Sequence, residues 1–292
     1  MKKALVVGSA LAAAVAAGSA LWWLGGQLTN PVPSEIGPPP DDFPVEPVDI
    51  PGTRGHRLRG WFLPAAEAQG AVLLLHGIWG NRNQMLSRAR FLHAAGYAVL
   101  LMDLRGHGES EGKRITCGHL ESSDAEFALR WLKARLPGQP VAVHGFSLGG
   151  LAALLPDPPL EVDAYVLEAV TPDLVVSARQ GLRTKFGRLA DVLVPLLFLQ
   201  FPLRIGVWAK DLAPLDQLSR LDRPKLVIAG RKDIQTTMFD TELLWQTAIE
   251  PKELWVIEDA EHTTYHEAGG AEYERRVLEF LERSIGRPRT GP

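Results

Sequence analysis

The sequence predicts an α/β domain built on a mostly parallel sheet flanked by helices. Three observations carry that expectation. Short runs rich in leucine and β-branched residues recur from about residue 55, a longer amphipathic stretch follows most of them, and runs such as Val72-Leu73-Leu74-Leu75 have no polar alternate. A strand that is apolar at every position is covered on both faces, which is the situation in a parallel sheet with helices on either side. Composition agrees, since 46% apolar and 22% charged side chains over 292 residues describe a globular chain. A net charge of −3 leaves no cationic excess to neutralise a nucleic-acid backbone. The single cysteine, Cys117, permits neither an internal disulfide nor a cysteine-based zinc site.

Taken in order, the chain opens on an apolar leader. After Lys2 and Lys3 no charged side chain occurs before Glu35, and Ala4 to Leu24 is almost wholly apolar. As a helix this run is about 31 Å long, enough to cross the hydrocarbon core of a bilayer. Residues 1–29 therefore read as a membrane anchor or a signal peptide. Small residues at Ala17, Ser19 and Ala20 offer weak cleavage sites, but cutting there leaves the apolar Leu21-Trp22-Trp23-Leu24 as the new terminus. The tryptophan pair suits an interfacial belt and favours the anchor. With the early lysines on the cytoplasmic side, the body of the chain lies on the non-cytoplasmic side, and it is secreted if the leader is cleaved. Residues 30–51 hold eight of the twenty-two prolines and read as an extended proline-rich linker.

The domain proper is expected over residues 52–286. Its strands are Ala71 to His76, Ala98 to Asp103, Val141 to Gly145, Ala164 to Glu168, Lys225 to Ala229 and Glu253 to Ile257. Arg57 to Leu63, with Phe43 to Ile50 before it, lacks an intervening helix and predicts an opening antiparallel hairpin. A helix over Arg88 to Ala95 ends at Gly96, Ser123 and Glu126 form a capping box for the next, and a last helix runs from about Ala271 to Ile285. The stretch 171–214 is too long for a plain connection and carries more apolar residues than one helix face can bury. It reads as a small helical lid, with an extra helical pair on the sheet edge as the alternative.

Chemistry concentrates where strands end. Gly145-Phe146-Ser147-Leu148-Gly149 is a G-x-S-x-G match between a buried strand and a helix, the context that lifts a serine hydroxyl clear of a sheet. Such a hydroxyl is a weak nucleophile without a base, and His262 follows the last strand on a loop able to reach the same sheet edge. His266, four residues on, is the rival base. The two histidines have neither a third partner nor an H-E-x-x-H spacing, so no metal is expected. His76, His107 and His144 read as loop hydrogen-bonding groups. Asp233, just past the strand before His262, is the acid that orients the base, and Glu168 is the fallback; Asp259 and Glu261 are too close in sequence to turn back on the ring. The amides of Leu148 and Ile78, the latter in His76-Gly77-Ile78-Trp79-Gly80-Asn81, are the expected oxyanion donors.

With these residues assembled, the chain from about Arg57 to Ile285 resembles the α/β-hydrolase superfamily, in particular its serine-aminopeptidase-like branch of esterases and lipases. The matching blocks are His76-Gly77 with Gly80-Asn81, Gly96-Tyr97, Asp103-Leu104-Arg105-Gly106-His107-Gly108-Glu109-Ser110, then Gly118, Glu121 and Asp124, the Ser147 turn, Asp233 and His262. The resemblance implies the α/β-hydrolase fold. In the Asp103 to Ser110 block it implies a structural signature rather than chemistry. The chain departs from the family in having Gln235-Thr236-Thr237 where Val-Pro is common, and in meeting Pro156 early, which implies a short helix after Ser147.

The expected function is a serine hydrolase cleaving carboxylic esters through an acyl-enzyme, with a lean toward apolar or lipid-like esters. An aminopeptidase of the same fold is the alternative, and would need a lid carboxylate for the substrate ammonium; between Arg179 and Arg204 only Asp191 is acidic. A non-catalytic ligand- or partner-binding relative is the reading from a different class. A dehalogenase would need Asp at position 147. No nucleotide, haem or other cofactor is expected, because there is no P-loop and no G-x-G-x-x-G after a strand.

Overall fold

The computed structural model describes residues 2–42 and 44–286. Eight strands form one sheet: β1 (Glu46–Pro51), β2 (Arg57–Leu63), β3 (Ala71–Leu75), β4 (Ala98–Met102), β5 (Val141–Phe146), β6 (Ala164–Glu168), β7 (Lys225–Gly230) and β8 (Lys252–Ile257). Their spatial order is β1-β2-β4-β3-β5-β6-β7-β8. β2 alone runs opposite to the other seven strands, and every pairing from β4 to β8 is parallel. This is the α/β-hydrolase arrangement.

The expected strands are all present to within two residues at their ends, apart from the first. That strand begins at Glu46, and Phe43, where it was expected to start, lies outside the described residues. Side chains explain why the central runs are continuously apolar. Along β3, Leu73 and Leu75 enter the core under α3 (Glu121–Arg135) and α4 (Leu148–Leu154). Val72 and Leu74 enter the core under α2 (Leu86–Ala94) and α10 (Tyr265–Ile285). Both sets are fully buried, so a polar residue at any of these positions would lose its water on either face.

Three local expectations change. Helix α3 starts at Glu121, ahead of the expected Ser123 cap, and no side chain caps it. Glu121 instead turns back to accept from the Thr116 and Gly118 amides and the Thr116 hydroxyl, which holds the preceding loop rather than the helix end. The last helix begins at Tyr265, with a break at Gly270 (φ 51°) just before the expected start. The proline-rich stretch does not stand off from the domain. Val32 and Pro33 pair with His107 and Gly108, Ile36 is buried, and Glu46–Pro51 is the edge strand β1. Its prolines fit because an edge strand leaves alternate N–H groups unpaired.

Between β6 and β7 lies a helical insertion: α5 (Leu174–Phe186), α6 (Ala190–Phe198) and α7 (Phe201–Ile205), followed by α8 (Pro214–Leu218). It has its own apolar core of Val194, Phe198, Phe201, Ile205 and Leu212 with Cys117. The leader forms α1 (Lys2–Thr29), whose last turns pack on α6, and α9 (Met238–Thr247) follows β7.

Beneath the strand ends, buried polar groups tie the layers together. Glu168 accepts from Arg88 of α2 at 2.5 Å and from Tyr273 of α10 at 2.6 Å, and its Oε2 lies 2.9 Å from His144 Nε2. Burial alone would raise the Glu168 pKa, but the Arg88 charge and these hydrogen bonds hold it down at about 2. Burial, with the charges of Arg88 and His266, lowers His144 despite its hydrogen bond to Glu168. His76, buried beside His107, is lowered to about 3. It donates to the Gly77 carbonyl and accepts the Leu104 amide, so its neutral form is the one that fits.

The signs give a pH dependence. His76 and His144 protonate in the unfolded chain near pH 6.5 but resist protonation when folded, so stability is lost as pH falls below about 6.5. Glu168 adds to the loss only below its unfolded value near 4.3, down to about pH 2. Unfolding free energies from urea titration should therefore drop between pH 7 and pH 4.5, His76 contributing about 1.4 kcal/mol per pH unit below its unfolded value and His144 acting in the same direction, and His76→Gln should flatten the slope. Equal unfolding free energies at pH 7 and pH 5 would contradict this.

Candidate active site

The site begins with a backbone reversal. Strand β5 ends at Phe146 and α4 begins at Leu148, so Ser147 alone makes the turn, with φ 50° and ψ −110°. A residue with a β-carbon in that region is strained by roughly 1–3 kcal/mol and persists only when its surroundings impose it. Here they do. The Ser147 amide donates to the Glu168 carbonyl at 2.8 Å, and a β-carbon on Gly149 would come within 2.2 Å of the Leu75 carbonyl oxygen. Glycine at 149 is what lets the first turn of α4 press against β3.

His262 comes to this turn from the loop after β8. Its Nε2 is 3.2 Å from Ser147 Oγ, and its Nδ1 is 2.8 Å from Asp233 Oδ2. Because a carboxylate only accepts, the proton sits on Nδ1 and the Nε2 lone pair faces the hydroxyl. Asp233 is fully buried at its side chain and fixed on both oxygens. Oδ1 accepts the amides of Gln235 and Thr236, both at 2.8 Å. The Gln235-Thr236-Thr237 departure from the family pattern thus supplies the acid with its amide donors. Thr236 adds a bond from its hydroxyl to the Ala169 carbonyl, and Thr237 caps α9.

Asp233 Oδ2 has a second partner that the sequence reasoning missed. The Tyr265 hydroxyl donates to it at 2.8 Å while accepting the Gly230 amide at 2.9 Å. Burial and the Asp233 charge push the Tyr265 pKa up, so the phenol keeps its proton and remains a donor. Its only trace in the sequence is its place three residues past His262, at the start of the last helix.

The other candidates are engaged elsewhere. Glu168 is committed to Arg88, His144 and Tyr273. His266 pairs with Glu274 at 3.0 Å and stacks on Phe91. His107 bonds the Arg105 carbonyl. In the Asp103 to Ser110 loop, Asp103 accepts the Arg82 and Glu109 amides, and Arg105 grips Asp124 through two nitrogens. Both serve as loop fasteners. Among the described residues no group of three or more His, Cys, Asp or Glu side chains is placed to hold a metal ion.

Leu148 directly follows Ser147 as the first residue of α4, where helix amides point outward without an intrahelical partner. The loop carrying Ile78 is pinned beside it. Gln84 Oε1 accepts the Gly77 amide, Gly80 bonds back to the Gly77 carbonyl, and Trp79 is held at φ 61°. The apolar side chains of Trp79 and Ile234, one residue past Ile78 and Asp233 respectively, are exposed. Helix α5 reaches the same region, where Gln180 donates to Asp240 at the start of α9.

Known proteins share this architecture. A family model described as serine aminopeptidase, S33, matches residues 66–200. An uncharacterised protein of Mycobacterium tuberculosis, Rv2307c, is 30% identical over 239 residues, covering 80% of this chain and 76% of its own. YqkD of Bacillus subtilis, also uncharacterised, is 26% identical over 243 residues, 80% of this chain and 78% of its own. Among solved structures, the Pyrococcus furiosus esterase Pf2001 superposes with a TM-score of 0.74 at 26% identity, over 88% of this chain and 98% of that one. With the sheet order and the turn at Ser147, these likenesses assign the chain: it belongs to the serine aminopeptidase S33-like hydrolases of the α/β-hydrolase superfamily.

Proposed function

We propose that this hydrolase cleaves carboxylic esters through an acyl-enzyme on Ser147. The observation that carries the reading is the unbroken relay from Ser147 Oγ to His262 Nε2 at 3.2 Å and from His262 Nδ1 to Asp233 Oδ2 at 2.8 Å. His262 Nε2 takes the hydroxyl proton as Ser147 Oγ attacks the ester carbonyl carbon. Asp233 holds the ring in that tautomer and stabilises the imidazolium. The Leu148 and Ile78 amides meet the tetrahedral oxyanion, each contributing about 3 kcal/mol to the barrier reduction. Collapse expels the alcohol with the proton from His262. Water, deprotonated by the same nitrogen, then attacks the acyl carbon and frees the acid and Ser147.

Several features favour an ester with an apolar acyl group. The exposed Trp79 and Ile234 stand next in sequence to Ile78 and Asp233, and helix α5, which reaches the same region, is read as the lid. The Pyrococcus furiosus neighbour is an esterase. The aminopeptidase alternative needs a carboxylate for the substrate ammonium, and Asp191, the one acid between Arg179 and Arg204, is already taken by Arg183 at 2.8 Å and Arg179 at 3.8 Å. Helix α1 is read as a membrane anchor with the catalytic body on the non-cytoplasmic side. Val7–Thr29 is the one segment among the described residues long and apolar enough to cross a bilayer.

A fluorophosphonate probe should label the folded chain at Ser147 and lose that label in Ser147→Ala; an unlabelled folded protein would end the proposal. Tyr265→Phe should lower kcat by roughly 3- to 10-fold with KM within about twofold, because Asp233 loses a positioning bond while the substrate contacts remain. Its stability should fall by about 1–2 kcal/mol, since the buried Gly230 amide loses its acceptor. An unchanged kcat would show that Tyr265 serves packing alone.

A further inference from the structure

Helix α6 has apolar residues on opposite faces, with Asp191 in its first turn as its one charged side chain, which is unusual for a surface helix of a water-soluble domain. One face, with Ala190, Val194, Leu197 and Phe198, is buried, and Val194 and Phe198 enter the core of the insertion. The opposite face carries Leu189, Val192, Leu196, Leu199 and Leu203, spaced three, four, three and four residues apart and therefore in one stripe. Leu199 and Gln200, the turn that joins α6 to α7, also have right-handed helical dihedrals, so Leu203 follows the same spacing. The stripe is also open: Val192 is 60% exposed, Leu199 59% and Leu203 80%.

The stripe sits at a defined level on α1. Gln200 Nε2 donates to the Leu21 carbonyl at 3.0 Å, and the Arg204 guanidinium donates to the Trp22 carbonyl and lies 3.9 Å over the Trp22 ring. On the C-terminal side of that level, Gly25, Gly26 and Thr29 are buried against the domain. On the N-terminal side, residues 7–20 of α1 are exposed throughout. Trp22 and Trp23, both exposed, mark the boundary, where tryptophan sits in proteins that cross the lipid interface. Just before the stripe come Arg179, Arg183, Lys185 and Arg188, against the single acid Asp191, a balance that suits anionic headgroups.

We propose that the α6 to α7 stripe, continuous with Trp22 and Trp23, is a membrane-contact surface that seats the insertion in the lipid interface and turns the site toward esters held in the bilayer. The proposal rests on the anchor and esterase readings given above. Its occupant is a bilayer containing anionic phospholipid. Gln200 and Arg204 lock the insertion to α1, so the two enter the interface as one body.

The test uses the full chain in vesicles of phosphatidylcholine and phosphatidylglycerol. Nitroxides are placed by Val192→Cys, Leu199→Cys, Leu203→Cys and, on α3 as a solvent control, Lys133→Cys. Native Cys117 is buried and its thiol is pushed up to about 12, so labelling goes to the introduced cysteines. Labels at 192, 199 and 203 should collide more with oxygen than with an aqueous nickel chelate, and the label at 133 the reverse. Nickel accessibility at 199 and 203 equal to that at 133 would overturn the proposal. Dipolar broadening without a rise in oxygen collisions would also overturn it, by showing a second copy on the stripe. In Leu199→Glu/Leu203→Glu, turnover of a long-chain ester dispersed in vesicles should fall by roughly tenfold, with a soluble short-chain ester kept within about twofold. Equal retention of both would refute the turned site. If the unaltered chain cleaves neither ester, the esterase reading fails, and the nitroxide accessibilities still decide the membrane surface.

Discussion

The reversal of the chain at Ser147 is the constraint on which the candidate site depends. A strand buried on both faces must become a helix within one residue, and the helix must then lie against β3. That is possible only because position 149 has no side chain and because Ser147 accepts a left-handed backbone. The Ser147 amide is held in turn by the Glu168 carbonyl at the end of β6. The hydroxyl is therefore aimed by the sheet itself. Its partners hang from the ends of β7 and β8, the second and third strands beyond β5 in the same parallel order, so their spacing follows from strand separation rather than from loop chance.

Behind this turn lies a second layer of polar groups that take no part in the relay. Glu168, Arg88, His144 and Tyr273 join β5, β6, α2 and α10 in one buried cluster. Removing one partner from such a cluster leaves a buried charge uncompensated and commonly costs about 3–5 kcal/mol. The cluster fixes the relative placement of four elements whose apolar surfaces alone would tolerate small slides. Tyr265 does similar work one strand further on, tying Asp233 to the backbone of β7.

Much of this was legible in the sequence because it rests on local pattern. Continuous apolar runs mark strands covered on both faces, and a serine between two glycines at a strand end marks the turn. The chain order Ser147, Asp233, His262 follows from their places after β5, β7 and β8. What was not legible depends on contacts between distant residues. Ser123 and Glu126 have capping-box spacing, yet the helix starts at Glu121 because that carboxylate is needed by the loop before it. The proline-rich stretch reads as a spacer because proline opposes helix and sheet interiors; an edge strand escapes that rule, and β1 uses it. Tyr265 and the Arg204 contact with Trp22 carry no local signature, since each partner lies on another element.

The bonds from Gln200 and Arg204 to the backbone of α1 have a practical consequence. The last turns of the leader are part of the folded body, and so is the segment that follows, with the Ile115 amide bonded to the Thr29 carbonyl and the Val32 amide to Gly106. A chain shortened to begin near residue 30, the obvious way to obtain a soluble enzyme, would strip two largely buried side chains of their carbonyl acceptors and uncover the apolar wall of α6 behind them. Aggregation of such a fragment would then report a missing wall of the domain rather than a defect in the catalytic fold.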